Sequence, residues 1–275
     1  MSARVHALAC VDPGALLGDG VEVGPFACVG AEVEIGDGTW IGANAHVQGP
    51  TKIGRDNRIH PHASLGCDPQ DLKYAGERVR LEIGDRNQIR EFVSIHRGTG
   101  KGGGVTRVGD DNLLMVYSHV AHDCKVGSRI VFANNATLAG HCEVHDDAVF
   151  GAFSAIQPFG RIGRHGYIGG YSRLLADALP FVKTVGLRPT VLGVNRIGLQ
   201  RKGFEAERVA AITAAIRIFL RSGLNTTAAI ERLRADYPDN ADVAYLIEFV
   251  GSARRGVIRA LPGRRGGGEG GDEES

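Results

Sequence analysis

The residues best equipped for chemistry in this sequence are four histidines, His96, His119, His122 and His141, and one glycine, Gly140. His122 and Gly140 are 18 residues apart, and each stands two places after a branched aliphatic, Val120 and Leu138. If the chain coils with an 18-residue period, a backbone N–H with no side chain over it lies one rung, about 4.8 Å, from an imidazole. A base beside an exposed amide donor is the least that acyl transfer requires. The base takes a proton from a hydroxyl, and the amide holds the oxyanion. Histidine, with an unperturbed pKa of about 6.5, accepts a proton at neutral pH. One histidine on a repeat is ordinarily a surface residue; four converging on one region point to a site.

Such a site needs elements that repeat in sixes, and the sequence supplies them. From Val5, steps of six meet Val11, Leu17, Val23, Val29, Ile35, Ile41, Val47, Ile53, Ile59 and Leu65. The register resumes at Ile83, Ile89 and Ile95, then one residue out of phase from Val108 through Val120, Leu138 and Ile156 to Leu174. Neither a helix period of 3.6 nor a strand period of 2 gives a strict six. Each hexad reads as one short strand and one turn with its aliphatic pointing inward. Three hexads close a triangular coil, and stacked coils bury a continuous aliphatic column. The Gly that often follows the aliphatic, as in Leu17-Gly18 and Ile53-Gly54, is expected at corners because it takes φ > 0 cheaply. The segments near 66–82 and 98–107 read as inserted loops.

Gly, at 40 of 275 residues, is well above ordinary usage of about 7% and fits a turn-rich repeat. The formal net charge of +1 gives no global pull toward nucleic acid or an anionic membrane. The five cysteines form no CxxC pair and are odd in number, so neither a disulfide framework nor a zinc ribbon is expected. Free thiols fit a reducing, cytoplasmic setting. Cys10/Cys28 and Cys124/Cys142 are each 18 apart and are expected to stack. No apolar run reaches 18 residues, so no membrane span is expected. The β-helix is thus expected over 1–189 and an α-helical domain over 190–262. Helices are expected over 204–222, from a Thr226 or Thr227 cap to about Tyr237, and over roughly 241–259. The stretch 263–275 (GRRGGGEGGDEES) reads as a disordered tail.

Several segments go beyond the hexad. Residues 70–77 (QDLKYAGE), 95–99 (IHRGT), 111–115 (DNLLM), 119–124 (HVAHDC) and 134–141 (NNATLAGH) resemble the UDP-N-acetylglucosamine O-acyltransferase family of lipid A biosynthesis. Residues 193–195 (GVN) and 201–204 (RKGF) extend the resemblance into the C-terminal domain. It implies an all-β left-handed parallel β-helix with an α-helical C-terminal domain, assembled as a homotrimer with active sites between subunits. It implies transfer of a (3R)-3-hydroxyacyl group from acyl carrier protein to the 3-position of UDP-N-acetylglucosamine, with no cofactor in the enzyme. By motif, His122 becomes the general base, Asp123 its orienting partner and Gly140 the oxyanion donor. Gln70, Asp71, Lys73, His96, His119, His141 and Gln157 become substrate contacts. Asn195, Arg201 and Lys202 become the nucleotide site, and Gly170 the stop for the acyl chain's end. Asp123 sits awkwardly, because adjacent strand residues face opposite sides.

The chain departs from the family pattern at Gln157-Pro158-Phe159, where His-Gln-Phe is usual, so this position cannot titrate. An acidic residue common two places after the Asn is here Ile197. Two other chemistries stay open at this point. One is a zinc hydratase of carbonic-anhydrase type, drawing on His96, His119 and His122 from two subunits; the other is acyl transfer to the 3-amino sugar nucleotide. The basic residues Arg217, Arg221, Arg254, Arg255, Arg259, Arg264 and Arg265 read either as a solvated face or as a surface that steers an acidic carrier.

Overall fold

The computed structural model describes residues 2–259. The tail expected over 263–275 lies outside the described residues. Each hexad forms a strand mostly of two residues, such as His119–Val120 or Thr137–Leu138, and these strands stack in parallel on three faces, which with the C-terminal hairpin number eleven, nine and eight strands. Register follows the hexads: Val120 pairs with Leu138, and Leu138 with Ile156. Their side chains are 0–3% exposed, and Phe132 stacks on Phe150 at 4.5 Å in the same interior. The column frays where it has no coil beneath it, leaving Val5 46% exposed.

The corner glycines act differently from expectation. Most corners are turned by non-glycine residues at positive φ, among them Asp123 (60°), His141 (62°), Phe159 (64°) and Tyr171 (55°). The glycine after the inward aliphatic is needed for close approach instead. A Cβ on Gly36 would stand 2.6 Å from the Gly54 carbonyl carbon, and one on Gly54 2.7 Å from the Gly84 oxygen. Neighbouring coils could not close to strand spacing around such a side chain. Inside, Asn57, Asn87 and Asn112 form a buried ladder whose amides cap one another and adjacent backbone groups, so their burial costs no unmet hydrogen bond.

The two insertions share an origin. Leu65 lies on the nine-stranded face and Ile83 on the eight-stranded one. Ile95 and Val108 repeat that pair one coil later. Both loops therefore leave the helix at the corner joining these faces. The next two coils turn the same corner with residues 121–124 and 139–142.

Beyond the last hexad a hairpin of Val182–Val185 and Thr190–Val194, antiparallel to each other, supplies the last two strands of the eleven-stranded face. Helices α1 (Arg196–Arg201), α2 (Ala206–Arg221), α3 (Thr226–Asp236) and α4 (Ala241–Gly251) follow. The cap of α3 is Asn225, whose side chain accepts from Ala228 N–H at 2.9 Å. Thr226 and Thr227 are already helical, a correction that fits the preference for Asn at the cap. The third expected helix stops at Gly251 rather than 259, because the chain turns back to pair Val257 with Asp177. Arg161 fastens this return to the coils. It bonds buried Asp177 at 2.8 Å and the Phe249 carbonyl at 2.8 Å, and lies over the Phe249 ring. Among the described residues no helix is long and apolar enough to cross a membrane.

Candidate active site

His122 sits at the corner between the nine- and eight-stranded faces, after His119–Val120 and before Lys125–Val126. Its Nδ1 is 2.8 Å from Asp123 Oδ2. The left-handed backbone at Asp123 resolves the strand-alternation problem: Asp123 is a corner residue, and its carboxylate turns back beneath the histidine. A carboxylate acceptor fixes the imidazole proton on Nδ1 and leaves the Nε2 lone pair as the base. Asp123 is buried and is itself held. Its Oδ1 accepts from the Thr99 N–H at 2.9 Å, its Oδ2 from the Thr99 hydroxyl at 2.7 Å, and its own N–H donates to Thr106 Oγ1 at 2.8 Å.

Thr99 and Thr106 belong to the second insertion, and neither was expected in the site. Gly102 of the same loop packs so closely on Asp123 that a Cβ there would lie 2.1–2.3 Å from the carboxylate. The signal was a seven-residue excess between two coils, readable as a loop but not as a contact.

Gly140 stands one rung above His122. A Cβ on it would fall 2.5–2.6 Å from Cε1 and Nε2 of the His122 ring, so only glycine lets the ring lie there. The Gly140 N–H donates to no group among the described residues, and is free to meet a developing oxyanion. His141 follows, its ring edge-to-face with His122 at 5.0 Å and stacked on Phe159 at 4.4 Å. His96 and His119 meet edge-to-face at 5.0 Å, and His119 Nδ1 shares a hydrogen bond of 2.7 Å with Ser94. Burial lowers the pKa of the three histidines near His122, that of His96 to about 4 and those of His119 and His141 below the ordinary imidazole value. They are neutral hydrogen-bonding groups at pH 7.

The first insertion leaves the β-helix at the same corner, and the Asp71 carboxylate there offsets a small part of the effect of burial on His141. Asp71 accepts from the Lys73 N–H at 2.9 Å, and Gln70 and Lys73 are exposed on that turn. Among the described residues, His122, Asp123 and His141 are the group whose ligand atoms converge within 4.8 Å as a metal site would. His96, His119 and His122 form no such group within one chain.

A family model described as UDP N-acetylglucosamine O-acyltransferase, domain 2, matches residues 177–258, and a bacterial transferase hexapeptide model matches 32–67. The acyl-[acyl-carrier-protein]–UDP-N-acetylglucosamine O-acyltransferase of Alkalilimnicola ehrlichii is 52% identical over 256 residues, 93% of this chain and 99% of its own. That of Thiobacillus denitrificans is 51% identical, over 94% and 100%. The solved UDP-N-acetylglucosamine acyltransferase of Francisella novicida superposes with a TM-score of 0.91 at 34% identity, covering 93% of this chain and 94% of that one. The chain belongs to the UDP-N-acetylglucosamine O-acyltransferase family.

As an acyltransferase of left-handed β-helix fold, it carries Asn195, Arg201, Lys202 and Gly170 on other edges and Gln157 on the edge of the dyad. Asn195, Arg201 and Lys202 line a cavity of about 540 Å³ with His165, Tyr167 and Lys183. This cavity lies at the corner between the eight- and eleven-stranded faces. Asn195 is 9% exposed and donates to the His165 carbonyl at 3.2 Å. Lys202 is neutralised by buried Asp147 at 2.8 Å, which Arg129 also contacts at 3.0 Å. Burial opposes ionisation of Asp147, but the hydrogen bonds from these cations outweigh it and lower its pKa. The expected pair of free cations is therefore reduced to Arg201, which makes no ion pair among the described residues. Gly170 is exposed at the third corner, beside Tyr171, whose ring stacks on Phe153 at 5.0 Å. Gln157 turns its amide along the axis to the Leu175 carbonyl, a role that does not require titration.

Proposed function

We propose that this acyltransferase moves a (3R)-3-hydroxyacyl group from acyl carrier protein to the 3-hydroxyl of UDP-N-acetylglucosamine, the first step of lipid A biosynthesis. The observation that carries the chemistry is the His122–Asp123 dyad directly beneath the unoccupied N–H of Gly140. His122 Nε2 takes the hydroxyl proton as the oxygen attacks the thioester carbon. The Gly140 amide bonds the tetrahedral oxyanion. Collapse expels the carrier's thiolate, which recovers the proton from His122. Attack is direct, so the reaction uses no covalent enzyme intermediate and calls on no cofactor. Neutral His96, His119 and His141 would orient the sugar without placing a positive charge beside the base.

The site is incomplete in one chain. The dyad lies on the corner between the nine- and eight-stranded faces, while Asn195 and Arg201 lie on the corner between the eight- and eleven-stranded ones. The third corner carries an exposed aromatic column in which Phe92 stacks on Tyr117 at 4.8 Å and Phe153 on Tyr171. An exposed apolar strip of this kind marks an interface. Three copies meeting along that edge form a homotrimer in which the nine-stranded face of one subunit opposes the eleven-stranded face of the next. The dyad of one subunit then shares a cleft with the nucleotide residues of its neighbour. We place the protein in the cytoplasm, where the exposed thiols of Cys10 and Cys28, paired one coil apart, would stay reduced.

The test offers the 3-hydroxy and 3-amino sugar nucleotides with carrier-bound acyl chains of several lengths and identifies products by mass. An O-acylated product from UDP-N-acetylglucosamine is expected. Exclusive N-acylation would reassign the acceptor. Stoichiometric zinc without any transfer would favour the hydratase reading. His122→Ala is expected to lower turnover 10²–10⁴-fold with folding intact; a variant within a few-fold of the parent removes His122 as the base.

A further inference from the structure

A cavity of about 500 Å³ opens on the same corner as the dyad, above His141. Phe159, Arg161, Ser252, Arg254 and Arg255 line it with His141. Of its acidic members, Asp177 is paired with Arg161 at 2.8 Å, and the Glu143 carboxylate lies 3.3 Å from His145. Arg254 and Arg255 form no ion pair or hydrogen bond among the described residues, so the cavity holds two unpaired cations against the single carboxylate of Glu143. An unbroken stack ties it to the base. The Arg255 guanidinium lies 5.1 Å above Phe159, Phe159 stacks on His141 at 4.4 Å, and His141 meets His122 at 5.0 Å.

We propose that this cavity binds the phosphate of the acyl donor's phosphopantetheine arm, through Arg254 and Arg255. The inference rests on the acyl-carrier reading above. A planar guanidinium pair suits a phosphate, which it can hold with charge-assisted, bidentate hydrogen bonds. The reach agrees as well. The three stacked contacts put the Arg255 guanidinium no farther than about 15 Å from His122. An extended pantetheine arm of thirteen bonds from sulfur to phosphorus spans about 16 Å at ~1.25 Å per bond. With the thioester at Gly140, the arm would run up the corner past His141 and Phe159 and set its phosphate between the arginines. The nucleotide's diphosphate is the other source of the same chemistry, but its candidate residues occupy a different corner of the chain.

The test measures binding of pantetheine 4′-phosphate, of pantetheine and of UDP to the full-length protein and to the double variant Arg254→Ala/Arg255→Ala, by calorimetry. Both arginines are exposed, and melting of the variant confirms that it folds. In the parent the phosphorylated compound is expected to bind at least about tenfold more tightly than pantetheine, and in the variant this preference should vanish with UDP binding unchanged. Equal binding of the two compounds to the parent overturns the proposal. So does a preference that survives in the variant. Loss of UDP binding in the variant would assign the cavity to the nucleotide. Acyl transfer by the parent from carrier-bound donor, followed in parallel, keeps these outcomes apart from a failure of the acyl-carrier reading itself.

Discussion

His96 is 7% exposed, its Nδ1 meets no partner among the described residues, and its pKa is about 4. In the unfolded chain an imidazole titrates near 6.5. Between those values the unfolded state binds more protons than the folded one, so stability conferred by neutral His96 is whole above pH 6.5 and is lost as pH falls toward 4. The full loss is on the order of 3 kcal/mol. Melting temperature followed from pH 7 to pH 4 should drop more steeply for the parent than for His96→Asn; parallel curves would show that His96 is not held neutral. The pairing of His122 with Gly140 was legible in the sequence because both obey the 18-residue period. The position of Asp123 was not, because alternation along a strand fails at a corner with φ of 60°. Thr99 was not legible either, since it reaches Asp123 from an insertion whose length removes it from the period.

At the scale of elements, one corner of the prism carries both insertions, the dyad and the glycine above it on successive coils. The second insertion acts as a clamp on Asp123. Gly102→Ala would push a methyl into a carboxylate that Thr99 and the backbone hold in place. Turnover is expected to fall at least about tenfold, with circular dichroism unchanged, since a misplaced base partner acts on orientation. Unaltered turnover would detach the loop from catalysis. The acyl-chain stop is a claim of the same scale. A Cβ on Gly170 has as its nearest neighbour the Ala152 carbonyl oxygen at 3.2 Å, so a larger residue there can project outward from the corner. Gly170 is expected to admit chains of about twelve to fourteen carbons, at ~1.25 Å each. Gly170→Met should shift preference to shorter chains, since overpacking a slot costs about 1–3 kcal/mol. A length profile that does not move would shift attention to Tyr167, which lines the cavity beside Asn195 and Arg201. Helix ends and the hairpin Val182–Val194 were the elements the sequence concealed. The hairpin carries neither a six-residue nor a 3.6-residue period, and α4 ends where tertiary pairing with Asp177 draws the chain away.

The whole molecule is three-sided, and its candidate site is divided between two of its edges. A mixture of subunits is therefore informative where a single variant is not. His122→Ala and Arg201→Ala chains, each inactive or weak alone, should regain activity when co-expressed, because some clefts combine an intact dyad with an intact neighbour. Arg201→Ala by itself should raise KM for the nucleotide more than it lowers kcat, since a phosphate contact contributes largely uniform binding. Absence of complementation would place all residues of the site in one chain. The period that made the β-helix readable carries no mark of which edge meets a partner; the aromatic column is spread over residues 18 or more apart and emerges only on folding. The stacking of coils has one more consequence. Heights along the axis come in steps of about 4.8 Å, which is close to four carbons of an extended chain at ~1.25 Å each. A molecule built this way can change the reach of its groove coarsely, by gaining or losing a coil, and finely, by exchanging one corner side chain. On the proposed reading, substrate length would be tuned on a ruler with fixed graduations, and single residues such as Gly170 would supply the divisions between them.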